Sequence, residues 1–307
     1  MVGRRAKSLE WPSVLLCCTI YGGFAVVTWN SARLPFWALV PAMALLLAWH
    51  ASMQHEFIHG HPTPWRKINR FLGDVPLSLW LPFESYRVTH LLHHRDERLT
   101  DPLDDPESYY WTPEQWQALG WPGRLIVRAH STLAGRLLLG PSWNISRYLL
   151  SQARAIRSGD RLSRRVWRGH ALKSAGVAAW VFGICHVDPL VYAAAVYAAT
   201  SVLLLRSFAE HRAHEEVFER TAIVENSWLF GPLFLFNNLH AAHHERPCVP
   251  WYELPRWYRE NRRRLVVENG GLIYDGYGDV CRRYLFRAHD QVLHPAAGSG
   301  RPSLGVG

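Results

Sequence analysis

Three groups of histidines carry the chemistry of this chain: His55-x-x-x-His59, His90-x-x-His93-His94 and His240-x-x-His243-His244. With 17 histidines in 307 residues, chance supplies about 0.05 copies of the HxxHH pattern, and the chain holds a pair of them. On a helix, positions i, i+3 and i+4 share a face. Each group can therefore turn its imidazoles toward one point, and neutral imidazole is the commonest metal ligand among side chains. One of His211 and His214 is expected to add a further donor, with His211 the better candidate. The sum is about nine nitrogens, too many for one ion and suited to two ions sharing a pocket. Ligand type alone leaves iron, copper, zinc or nickel open.

Two other chemistries compete. His55-Glu56-Phe57-Ile58-His59 fits the HExxH signature of a zinc protease, here intramembrane, with Glu56 as general base. Such a site needs one more ligand and has no use for two matched triplets. A non-catalytic metal carrier predicts reversible metal release and no consumption of O2. His61, beyond Gly60 and before Pro62, falls off the helical face and is read as structural or as a support to the ligands. After the second group comes an acidic turn, 101–107, whose Asp101 and Asp105 are candidates to accept the outer N–H of an imidazole.

The elements that position these groups follow from hydropathy. Pro12 to Trp29 and Leu34 to Gln54 are uncharged, and the second is long enough to span about 30 Å of hydrocarbon. Ser174 to His186 and Leu190 to Leu205 are shorter and read as a helical hairpin. The expected fold is all-α: a four-span helical integral membrane protein (about 12–29, 34–54, 171–186 and 190–206) with a cytoplasmic helical cap holding a di-metal site. Residues 1–285 form one domain with cytoplasmic blocks 55–170 and 207–285, and 286–307, rich in Gly, Pro and Ser, reads as a disordered tail. The block 54–170 holds 16 Lys and Arg and 206–307 holds 13, against one in the two short connections near Arg33 and Asp188. The positive-inside rule then puts both termini and all three histidine groups in the cytoplasm, of a bacterial inner membrane. Arg4, Arg5 and Lys7 precede the first apolar run as in a signal peptide, but no small-residue cleavage site follows.

A formal charge of +9 and a pI of 9.6 are spread along the chain rather than patched, which speaks against nucleic acid and for attraction to anionic headgroups. Five cysteines form no CxxC and no disulfide framework. Thr112-Pro113-Glu114 has the chemistry of a helix start, Thr112 as N-cap and Pro113 at the first helical position.

HEFIHGH (55–61), HLLHH (90–94) and HAAHHERPCVPWYELP (240–255), with Asn237-Asn238 before the last, resemble the three histidine boxes of the membrane fatty acid desaturase superfamily. Alkane hydroxylases and carotenoid ketolases share that signature. AEHR at 209–212 is similar to the extra histidine segment of those relatives. The resemblance implies two iron ions held by His55, His59, His90, His93, His94, His211, His240, His243 and His244, with His214 and His61 as weaker candidates and Asn238 as a support. It implies O2 as co-substrate, a lipid or fatty acyl substrate, and a separate ferredoxin- or cytochrome-type electron donor. Desaturation of a fatty acyl chain is the expected outcome, lipid hydroxylation or carotenoid ketolation the alternative.

Overall fold

A computed structural model of the chain describes residues 8–295, apart from the side chain of Asp96. Helix α1 (Trp11–Trp29) has proline in its first turn and no charge along its length. Helix α2 (Phe36–His59) runs 24 residues and ends where Gly60 turns left-handed at φ +100°. A side chain at Gly60 would be strained by that backbone. Helices α3 (Arg66–Gly73), α4 (Phe83–His93), α5 (Pro113–Ala118), α6 (Trp121–His130), α7 (Leu133–Arg157) and α8 (Arg161–Ala178) follow, α8 continuing into a π-helical turn over Ala179–Ile184. Helix α9 (Pro189–Glu210) leads to strand β1 (Ile223–Val224), then α10 (Phe230–Leu233), α11 (His240–Glu245), α12 (Leu254–Glu268), strand β2 (Ile273–Tyr274) and α13 (Gly276–Tyr284).

Helices α1, α2 and α9 are each long and apolar enough to cross a membrane. Their inner faces meet the π turn in one core, where Ile20, Met43, Val181 and Ala195 are fully buried. Their outer faces leave Trp11, Leu15, Trp29, Trp37 and Leu190 exposed. That much apolar surface is costly in water and costs nothing against lipid tails. Among the described residues the expected fourth span, 171–186, does not join these three. Residues 171–184 are helical, and they belong to a helix that opens among Arg161, Arg164, Arg165 and Arg168. Charge and apolar stretch share one helix there.

Two further departures from the sequence reading concern the ends of the site. The fold is mostly but not wholly helical: β1 and β2 pair in parallel, Ile223 opposite Ile273 and Val224 opposite Tyr274. This short ladder ties the segment before the third histidine group to the C-terminal helices. Some of residues 286–295, expected to be disordered, make specific contacts. Leu293 bridges to Trp111 and Ala288 to Thr132, and Thr100 Oγ1 meets His294 Nε2 at 3.2 Å. Residues 296–307 lie outside the described residues.

The start of α5 matches its sequence cue. Thr112 Oγ1 accepts from Gln115 N at 3.2 Å while Gln115 Oε1 accepts from Thr112 N at 3.1 Å, a complete capping box. At the α6–α7 junction the backbone approaches so closely that a Cβ on Gly135 would lie 1.9 Å from the Ala129 carbonyl oxygen. Gly135→Ala is expected to cost about 1–3 kcal/mol through forced backbone displacement. Thermal unfolding in detergent is the check, and Gly176→Ala, where the Cβ would meet nothing within 4 Å, is the matched control.

Candidate metal centre

The histidines arrive from four directions. His55 and His59 lie one turn apart at the end of α2. His90 and His93 close α4, with His94 as its C-cap. All three of His240, His243 and His244 sit on the six-residue α11. α11 is entered through a turn in which Leu235 and Phe236 adopt φ of 51° and 57°. His211 follows the last residue of α9 on extended backbone, φ −134° and ψ 144°, and bridges to Thr221.

The nine converge in two groups. His55, His59, His90, His94 and His243 form one, His93, His211, His240 and His244 the other, and within each the potential ligand atoms lie within 4.8 Å of one another. In the first, Nε2 of His59 is 3.1 Å from Nε2 of His90, and His94 Nε2 is 2.9 Å from that of His90 and 3.1 Å from that of His243. In the second, His211 Nε2 is 3.0 Å from that of His93 and 2.8 Å from that of His240, which lies 3.1 Å from that of His244. Nitrogens about 2.1 Å from a common cation and at right angles around it stand about 3.0 Å apart, so the spacing fits shared ions. The donor set suits a soft-to-borderline transition metal.

Four of the outer ring nitrogens are committed elsewhere, which leaves the inner lone pairs of those rings free to converge. Nδ1–H of His90 donates to Glu107 Oε1 at 3.1 Å and that of His93 to Asp105 Oδ1 at 2.9 Å. His211 donates to the Arg220 carbonyl at 3.2 Å. His240 donates to Asn237 Oδ1 at 3.1 Å, with Glu210 Oε1 at 3.3 Å from the same nitrogen. Beneath them, Glu210 is paired with Arg206 at 2.8 Å, both side chains nearly buried.

Burial first, and then the neighbouring imidazoles, push His94, His211, His240 and His243 well below the ordinary histidine range. These rings are neutral donors. His93 differs: burial opposes its charge, but Glu107 and Asp105 hold it up to about 9. Burial likewise opposes charge on Glu107, and His93 and His90 hold it down to about 2. A cation bound by His93 therefore displaces a proton.

The other sequence candidates fall outside the two groups. His214 is half-exposed, 3.4 Å from Glu219 and bonded by Glu216 N at 3.2 Å. Because α9 stops at Glu210, His211 and His214 do not share a helical face. His61 is buried, its Nδ1 2.7 Å from Glu10 Oε1. Glu56 accepts the Trp251 amide at 3.2 Å. Asp101 caps its own turn at Leu103 N and Asp104 N. Asn238 donates to the Val224 carbonyl at 2.7 Å, and Asn237 takes the supporting place beside His240 and, at 3.4 Å, His55. Sequence reading set Glu107 aside with most of its turn, noted Asn237 only beside Asn238, and gave no role to Arg206 or Glu210. Spacing was a usable cue for Glu210 alone, since it adjoins His211 and lies four residues after Arg206.

Asp105→Ala is expected to lower metal affinity about 10–100-fold by releasing the His93 ring. Competition against a chromophoric chelator measures it, and unchanged affinity would remove Asp105 from the site.

A cavity of about 730 Å³ reaches this centre. Its lining includes His211, Glu107 and Tyr86 at the metal side and Val196, Ala199, Leu203 and Leu204 of α9 along one wall. The volume is that of an ordinary small-ligand site.

The family model described as "Fatty acid desaturase" matches residues 31–277. A beta-carotene ketolase of Paracoccus sp. (strain PC1) is 23% identical over 260 residues, covering 80% of this chain and 88% of that protein. A beta-carotene ketolase of Paracoccus sp. (strain N81106 / MBIC 01143) is 25% identical over 216 residues, 66% of this chain and 70% of its own length. A match over most of the chain, on a helical membrane scaffold that gathers the histidines of all three boxes, settles the classification: this protein is an oxidoreductase of the fatty acid desaturase family.

Proposed function

We propose that the protein oxidises an unactivated C–H bond of a membrane lipid, with two iron ions held by the nine histidines and O2 as co-substrate, and that fatty acyl desaturation is the outcome. The observation that carries this reading is the pairing of two imidazole groups with a largely apolar cavity that His211 lines. Iron and O2, when bound, supply an oxidising power that no side chain of the chain possesses. The protein's part is placement. Asp105, Glu107, Asn237 and the Arg220 carbonyl hold the outer ring protons, so the inner lone pairs keep their aim. Leu203 and Leu204 offer a lipid tail a surface that water does not reward, and small differences in its seating against the ligands decide the product.

The same reading places the centre on the cytoplasmic side of a bacterial inner membrane, with four spans and one domain over residues 1–285. Lys and Arg crowd the segments that carry the histidines and leave the connections near Arg33 and Asp188 almost bare. Electrons come from a separate ferredoxin- or cytochrome-type protein. Carotenoid ketolation is the second reading, favoured by the names of the two Paracoccus relatives. A zinc protease is disfavoured, because Glu56 is engaged by the Trp251 amide and His55 and His59 share their group with three further imidazoles.

Expression in a heterologous host, followed by lipid extraction and mass spectrometry, tests the proposal. New double bonds in acyl chains, absent with His93→Ala, are expected. A ketone on an isoprenoid ring assigns the second reading. Unchanged lipids of both classes with metal-loaded protein and a working reductant contradict the proposal.

A further inference from the structure

Part of the lining of the cavity that reaches His211 is cationic. Arg136 of α7 is 5% exposed, and its guanidinium carbon stands 3.6 Å from the centroid of the Tyr109 ring. Its Nε donates to the His130 carbonyl at 3.1 Å, while Nη1 has no hydrogen-bond partner. What Tyr109 offers it is a ring face, not a negative charge. His130, 7% exposed, also has a ring nitrogen, Nε2, without a partner. Burial, then Arg136 and Arg147, hold that ring neutral. Arg147 lies over the rings of Trp111 at 4.7 Å and Trp143 at 5.6 Å. All three residues line the cavity. Asp290, on the same lining, is taken by the Tyr110 hydroxyl at 2.6 Å.

A buried guanidinium is costly unless something negative meets it, and aromatic faces compensate only in part. Guanidinium geometry matches the paired oxygens of a carboxylate or a phosphate. Among the described residues no acidic side chain forms an ion pair with buried Arg136, whose Nη1 is unpartnered, and an anionic ligand would complete it; Arg147 is exposed beside it. Taking the cavity as the lipid site, on which this inference rests, we propose that Arg136, His130 and Arg147 bind the anionic head of an amphiphilic substrate. The head is a carboxylate or a phosphate, and the apolar tail lies against the α9 wall of the same cavity. A pure hydrocarbon polyene has no group to offer these residues, so the inference also separates the two readings of the product.

Full-length protein in neutral detergent, titrated with stearate, octadecyl phosphate and octadecanol, tests this. Trp80, Trp111 and Trp143 line the cavity, so tryptophan fluorescence reads binding. Stearate or octadecyl phosphate is expected to bind at least about tenfold more tightly than octadecanol, the scale of a charge-assisted contact. The tighter of the two tells a free acyl head from a phospholipid head. Arg136→Gln and Arg147→Gln are each expected to erase most of the preference with metal content unchanged, and Arg136→Lys to retain part of it. Equal binding of octadecanol, or a preference that survives both glutamine variants, overturns the assignment. Should Arg136→Gln fail to accumulate, Arg147→Gln, whose side chain reaches the surface, decides alone. The readout is binding, so absent lipid products with the preference intact count only against the oxidation.

Discussion

Replacing His211 by alanine is expected to strip one of two bound ions and to stop turnover. His211 belongs to the four-histidine group, with Nε2 contacts of 3.0 Å to His93 and 2.8 Å to His240. Three imidazoles would remain there, so the second ion should be lost to a chelator that leaves the five-histidine group loaded. Turnover is expected to fall by about a thousandfold or more, because a missing catalytic ion takes its transition-state stabilisation with it. His214→Ala is the control. It lies near His211 in sequence yet faces Glu219, so both ions and most activity should persist. Metal analysis after chelator dialysis, alongside product formation, reads both. Equal losses in the two variants would mean that the grouping is wrong.

Arg206→Met is expected to destabilise the protein by about 3–5 kcal/mol, since it leaves Glu210 buried without its partner. The pair is separated by 2.8 Å and its side chains are 12% and 7% exposed. The double variant Arg206→Met, Glu210→Gln should recover much of that loss, because a buried pair removed together leaves no orphaned charge. It should not recover metal affinity fully, because Glu210 also stands 3.3 Å from His240 Nδ1. Unfolding monitored in one detergent gives the stabilities. A single variant as stable as the parent would show that the pair contributes nothing to the fold.

How much of this was legible in the chain depends on the kind of signal. Repeated HxxHH spacing is improbable enough to survive without context, and the structure gathers the nine residues it and the family resemblance pointed to. Apolar length located α1, α2 and α9; in α8 an arginine-rich stretch and a short apolar one share a single helix, so length there is a weaker guide. The supports of the site were mostly illegible. Asn237 and Asn238 are adjacent and chemically identical; only the positive-φ turn at Leu235 and Phe236 decides which reaches His240. Asp101 and Asp105 are likewise four residues apart in one acidic turn, and the turn itself consumes Asp101. Such choices depend on backbone geometry set by distant contacts. The contacts of 286–295 are another case, because their partners at Thr100, Trp111 and Thr132 lie more than 150 residues earlier.

The most direct test of the central claim is iron stoichiometry and ligation in the purified protein, by elemental analysis with iron-edge X-ray absorption on one sample. The account predicts about two irons per chain in a predominantly nitrogen first shell near 2.1 Å. One zinc per chain, or iron held mainly by oxygen or sulfur, would contradict it.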